Sequence, residues 1–166
     1  MIRKRVARSP GPLPRLNRRF TIVAGLAIAL AGCDESSPTQ IELPLVTGTI
    51  VRNMTQEVTS TFSGDPDGIG KALITLDADL RFVCWSLTAS NITLPATASH
   101  IHKAAAGVAG PIALGLTAPG ANGSSSGCAE DVDRALILEM LESPTSFYVN
   151  VHTTDHPPGA IRAQFK

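Results

Sequence analysis

Three histidines lie in two short stretches whose alternation of side chains is typical of β-strands. His100 and His102 are separated by one isoleucine in the stretch ASHIHK, and His152 follows YVNV near the C-terminus. Successive side chains of a strand point to opposite faces, so His100 and His102 share one face and Ile101 lies on the other. If the two strands are neighbours, the three imidazoles converge on one side of a sheet.

Converging imidazoles point to a metal centre. Neutral imidazole is the commonest protein ligand for zinc and copper, and three such rings can form an open or tetrahedral site. Asp155 and His156, which closely follow His152, could supply a fourth ligand. The same histidines could instead be structural, because buried polar rings are satisfied by hydrogen bonds to backbone groups or to Asn150. The sequence leaves both interpretations open and indicates no catalytic residue.

The first 32 residues have the composition of an export signal. Seven of the fourteen basic residues and none of the fourteen acidic residues precede Cys33. The apolar run Phe20–Ala31 is too short to span a bilayer, which is typical of a signal peptide. The residues LAGC at its end resemble a bacterial lipobox, whose cysteine is diacylated after cleavage. We therefore expect a lipoprotein signal peptide over residues 1–32, then a lipidated cysteine and flexible tether over residues 33–45. An ordinary signal peptide with an incidental cysteine is the alternative.

Export also predicts the state of the remaining cysteines. Once Cys33 carries lipid, Cys84 and Cys128 form an even pair in an oxidising compartment, where disulfides persist. A bond between them would close a loop of about 45 residues and stabilise the domain by about 4 kcal/mol in the chain-entropy treatment. Two free thiols or a metal site are the less favoured alternatives.

The rest of the chain, residues 46–166, has short apolar segments separated by turn residues, which is typical of an all-β domain. Only Asp131–Leu141 shows helical spacing, and the Gly- and Ser-rich residues 119–127 predict a flexible loop. Apolar side chains on both faces of residues 80–87 predict a central strand covered on both sides. Strands are predicted near 69–76, 80–87, 99–102, 112–116, 147–153 and 160–165. Because strands and helices do not alternate along the chain, the pattern predicts an antiparallel sandwich or barrel with one short helix.

Four motifs, in this order, resemble those of the CHRD (chordin) domain: HIH at 100–102, AGVAGP at 106–111, YVNVHT at 148–153 and PGAIRAQ at 158–164. The resemblance extends over residues 46–166, with alanines at 160 and 163 where the family pattern has Glu and Gly. It implies an immunoglobulin-like Greek-key β-sandwich. In bacteria the domain occurs singly, as a secreted or lipid-anchored protein, and the family implies no enzyme.

Together these features predict a non-enzymatic binding module of the bacterial cell envelope. Acyl chains on Cys33 would hold it in a membrane, on the periplasmic or extracellular side. The alternative function is a copper- or zinc-binding envelope protein that uses His100, His102 and His152. The expected partner is accordingly a protein or a metal ion. Nucleic acid is not expected as a partner, because the residues after Cys33 carry a net charge of −7, which repels phosphate.

Overall fold

The computed structural model describes residues 45–166, which form eight strands and one short α-helix. The strands are β1 (Thr47–Gln56), β2 (Ile69–Asp77), β3 (Phe82–Ser90), β4 (Ala98–Lys103), β5 (Ile112–Leu116), β6 (Ser124–Ala129), β7 (Phe147–His152) and β8 (Ile161–Gln164). The helix α1 (Arg134–Glu142) and a single 3₁₀ turn (Pro144–Ser146) lie between β6 and β7. The signal peptide, the lipidation of Cys33 and the tether are predictions that fall outside the described residues, apart from residue 45.

All strand pairs are antiparallel, and the strands follow the order β5-β4-β7-β8-β1-β2-β3-β6. Strand β1 connects the two halves of this order, because residues 47–54 pair with β2 and residues 55–56 pair with β8. The sheet is nearly closed and barrel-like. The prediction of an all-β antiparallel fold with one short helix is therefore confirmed, whereas the immunoglobulin-like Greek-key sandwich stays a prediction.

The core lies between the two halves of the sheet and follows the period-two alternation of the strands. In β3 the side chains of Val83, Trp85 and Leu87 are buried, while on the other face Ser86 and Thr88 are exposed. The prediction that this strand is covered on both faces is thus wrong, because its second face is partly buried only at its start and lies at the surface from Ser86 onward. The largest fully buried apolar side chains come from both halves of the sheet and from α1: Met54, Ile74, Leu76, Leu87, Ile101, Ile137, Met140, Phe147, Tyr148, Ile161 and Phe165.

The segment predicted as a flexible loop, residues 119–127, overlaps the first four residues of strand β6. The β6 residues Ser124–Ala129 pair with β3, and Cys84 lies directly opposite Cys128 in that register. The two cysteines form a disulfide with a Cα–Cα distance of 4.0 Å, as predicted. Pairing and the covalent link therefore override the low strand propensity of a Gly- and Ser-rich sequence.

Helix α1 begins three residues later than its apolar spacing predicts. The carboxylate of Asp133 accepts a hydrogen bond from the backbone N–H of Ala135, so Asp133 is the N-cap. Ile137 and Met140 bury one face of the helix against the sheet. Within residues 45–166, no helix combines the length and apolar character that crossing a membrane requires.

Candidate metal centre

The neighbouring strands β4 and β7 place the three histidines on one face of the sheet. In their antiparallel register, His100 lies opposite Asn150 and His152 lies opposite Ala98. Opposed residues of paired strands present their side chains on the same face, so the imidazoles meet. One ring nitrogen from each of His100, His102 and His152 lies within 4.8 Å of the other two.

Backbone carbonyls determine which nitrogens of two rings carry a proton. The Nδ1 atom of His102 lies 2.8 Å from the carbonyl oxygen of Gly110, and Nδ1 of His152 lies 2.8 Å from that of Pro157. A carbonyl oxygen can only accept a hydrogen bond, so both Nδ1 atoms are the donors. In the neutral rings, both Nε2 atoms are then unprotonated, and that of His152 lies 3.1 Å from the Nδ1 of His100. The Nε2 of His102 is buried and has no hydrogen-bond partner among residues 45–166.

The lone pairs of these unprotonated nitrogens suit a metal ion. The Nδ1 of His100 and the Nε2 of His152 are 3.1 Å apart and form a hydrogen bond that His100 donates, because the proton of His152 is on its Nδ1. A metal ion would take the place of this shared proton, with His100 protonated on Nε2 instead. Two nitrogens bound tetrahedrally to zinc at 2.0–2.1 Å are about 3.3 Å apart, so this pair needs almost no movement to share an ion. Metal-binding histidines usually donate their other N–H to a carbonyl or carboxylate, as His102 and His152 do here.

Burial and neighbouring rings favour the neutral form of His100 and His152. Burial lowers the pKa of His100, and the neighbouring imidazoles of His152 and His102 lower it further. Burial also lowers the pKa of His152, against the opposing effect of its hydrogen bond to Pro157. Neutral imidazole is the form that binds metal, so these shifts reduce competition from protons.

An aromatic stack holds the His102 ring in place. The ring lies parallel to that of Tyr148, with centroids 4.8 Å apart and an interplanar angle of 4°. The guanidinium carbon of Arg162 lies 3.3 Å from the Tyr148 centroid. The Tyr148 hydroxyl accepts a hydrogen bond from the N–H of Gly110, whose carbonyl binds His102. Arg162 also donates to the carbonyls of Ala105 and Val108, so residues 104–111 are tied to the same face.

A buried carboxylate completes the network on this face. Glu57 is 1% exposed, and its Oε2 accepts a hydrogen bond of 3.0 Å from the side-chain amide of Asn150. Its Oε1 lies 3.8 Å from Arg162 and has no hydrogen-bond partner in the described part of the chain. Burial raises the pKa of Glu57 to about 6, although Asn150 and Arg162 both act to lower it. Sequence reasoning did not single out Glu57, which is 93 residues from Asn150.

The two weaker candidate ligands do not belong to the cluster. Asp155 accepts a short hydrogen bond from the hydroxyl of Thr93. The Nδ1 of His156 lies 3.7 Å from a carboxylate oxygen of Asp65. Within residues 45–166, the group with metal-ligand spacing contains the three histidines alone. The sequence therefore placed Asp155 and His156 close to His152 along the chain, whereas the turn after β7 directs them to other partners.

Comparison with protein families supports the resemblance seen in the sequence. The CHRD domain family matches residues 50–165, which include β2 to β8, most of β1 and all three histidines. Searches of curated proteins and of solved structures gave no match. Since the family match covers well over half of the chain, this protein belongs to the CHRD domain family.

Proposed function

We propose that this chain is a non-enzymatic binding module that holds one copper or zinc ion through His100, His102 and His152. The observation that carries the proposal is the orientation of the rings. Two of them donate Nδ1–H to backbone carbonyls, which leaves their Nε2 atoms unprotonated within a cluster only 4.8 Å across, where that of His152 faces His100 and that of His102 has no partner among the described residues.

A structural role would leave one polar atom of the cluster unsatisfied. Buried side-chain nitrogens normally have a hydrogen-bond partner, and an orphaned one costs about 1–3 kcal/mol. The buried Nε2 of His102 has none among the described residues. A metal ion at the centre of the cluster would use this lone pair together with those of the other two rings.

The donor set also limits the metal. Three imidazole nitrogens suit zinc and copper, whereas calcium and magnesium require oxygen ligands. The proposal further includes attachment to the bacterial cell envelope through acyl chains on Cys33, which the leader pattern supports. The immunoglobulin-like Greek-key sandwich implied by the family is the proposed finer description of the fold.

The test is a calorimetric titration of the full-length chain, purified in detergent and stripped with a chelator, with zinc and with copper. We expect one ion per chain. His102→Ala should weaken binding by more than about 100-fold, because loss of even an outer-shell partner costs 10–100-fold. His100→Ala, at a more exposed position, should have the same effect with less risk to folding.

The matched control is His156→Ala, which removes a histidine outside the cluster and should leave the metal affinity unchanged. Circular dichroism would show that each variant is folded. Absence of stoichiometric binding by the folded parent would refute the metal centre, and the domain would then have to recognise its partner through another surface.

A further inference from the structure

We propose that the ion held by the three histidines keeps one coordination position open to a small ligand from solvent, on the side of strand β5. Water, hydroxide and small anions such as azide are the ligands that such an ion takes. This inference rests on the proposed metal centre and adds to it a coordination position at which a solvent ligand can exchange.

The number of protein ligands is the first reason. Zinc and copper(II) bound by histidines take at least four ligands, and sites with three protein ligands complete the shell with an exogenous one. The group with metal-ligand spacing in residues 45–166 holds three histidines and no carboxylate. Asp155 and His156 are engaged with Thr93 and Asp65 instead. The fourth ligand must therefore come from outside this group.

The space beside His100 is the second reason. Gly115 on β5 lies directly opposite His100, so a side chain at this position would share the histidine face. A Cβ atom built on Gly115 would have no neighbour within 4 Å. Strand β5 is the end strand of the sheet order, so no further strand covers this side. Because Gly115 has no side chain, the space next to His100 is free, whereas a larger residue at this position would fill it.

The other sides of the cluster are occupied. The His102 ring is 8% exposed and is held between Tyr148 and the carbonyl of Gly110. The His152 ring is fixed from the turn after β7 by the carbonyl of Pro157. His100 has no such backbone partner among the described residues, and His100 and His152 are both only partly buried. Because the space beside Gly115 holds no neighbouring atom, we place the open position on the His100 and Gly115 side.

The charge of the centre selects the class of ligand. Three neutral imidazoles leave a divalent ion with its full positive charge, because no carboxylate or thiolate is among the ligands. Such an ion favours water, hydroxide or a small anion in its remaining position.

The test is an azide titration of the copper-loaded full-length chain, followed by the azide-to-copper charge-transfer band and by electron paramagnetic resonance. Gly115→Leu fills the open side, and Gly115→Ala adds only a methyl group. Ser126→Leu is the matched control, because it places the same side chain at an exposed position on β6, the strand at the other end of the sheet order. Copper affinity is measured for every variant in parallel.

We expect one azide per copper in the parent, in Gly115→Ala and in Ser126→Leu. In Gly115→Leu the azide affinity should fall about tenfold or more, because the leucine side chain would clash with the bound azide. The copper affinity should be unchanged. A parent that binds copper but gives no azide spectrum would overturn the open position while leaving the metal centre intact. Equal azide affinity in Gly115→Leu and the parent would overturn its location beside β5. A parent that binds no copper would refute the metal centre itself.

Discussion

Replacing Glu57 with glutamine should remove a defined step from the pH dependence of stability. Glu57 is buried and accepts one hydrogen bond from Asn150, which lies opposite His100 in the sheet. The guanidinium of Arg162 lies 3.8 Å from the other carboxylate oxygen of Glu57. Burial raises its pKa from 4.5 to about 6. Between these two pH values the folded protein holds a proton on Glu57 that the unfolded chain has released.

The sign and size of the effect follow from this difference. Because the folded state binds more protons in this window, the free energy of unfolding decreases as the pH rises through it. A shift of one pKa unit corresponds to about 1.36 kcal/mol, so ionisation of Glu57 should cost about 2 kcal/mol of stability in total. Glutamine cannot ionise and can still accept the hydrogen bond from Asn150, so this step is absent from the variant.

The assay is urea denaturation of the metal-free chain from about pH 4 to about pH 7.5, for the parent, for Glu57→Gln and for Glu142→Gln. Glu142→Gln removes an exposed carboxylate at the end of α1 and is the matched control. Protonation of the histidines affects all three proteins and cancels in the differences. The stability of the parent relative to Glu57→Gln should fall by about 2 kcal/mol across the range. A difference that stays constant with pH would show that burial does not hold the proton on Glu57.

Two further predictions concern the disulfide and the ion. Replacing both Cys84 and Cys128 with alanine should lower the free energy of unfolding by about 4 kcal/mol, and urea denaturation showing no loss would contradict this. Because the pKa values of His100 and His152 lie below the ordinary 6.5, zinc affinity should be nearly constant above pH 6.5 and decline only at lower pH. Zinc titrations at a series of pH values would contradict that reasoning if the decline began well above 6.5.

Strands could be predicted where their own sequence has a strand-like pattern of apolar residues. They could not be predicted where strand formation depends on pairing with a neighbouring strand. Residues 112–116 have the predicted strand bounds, and 69–76 differ from β2 by one residue. The Gly- and Ser-rich β6 has no such pattern, and it forms because β3 and the disulfide hold it. Residues 58–62 alternate as a strand does, yet they contribute only the isolated bridge from Val58 to Ser63. Local periodicity does not reveal whether a partner strand is available.

The candidate metal site could likewise be predicted only in part, because some of its features follow from local spacing and others from the pairing of distant strands. The spacing of His100 and His102 fixes their common face, and the pairing of β4 with β7 brings His152 to it. The carbonyl of Gly110 that orients His102 is a backbone group, so no side chain in the sequence marks it, and a Cβ at this position would collide with the carbonyl of Lys103. The open side at Gly115 depends on the register of β5, and a bulge between Ile101 and His102 shifts that register. These features require the folded chain.

The most direct test of the metal centre is anomalous diffraction from crystals of the zinc-loaded chain. We expect a single strong peak at bonding distance, about 2.0–2.1 Å, from a ring nitrogen of each of His100, His102 and His152. The Nδ1 atoms of His102 and His152 should remain hydrogen-bonded to their carbonyl partners. A peak elsewhere on the protein, or none between these rings at saturating zinc, would contradict the central claim.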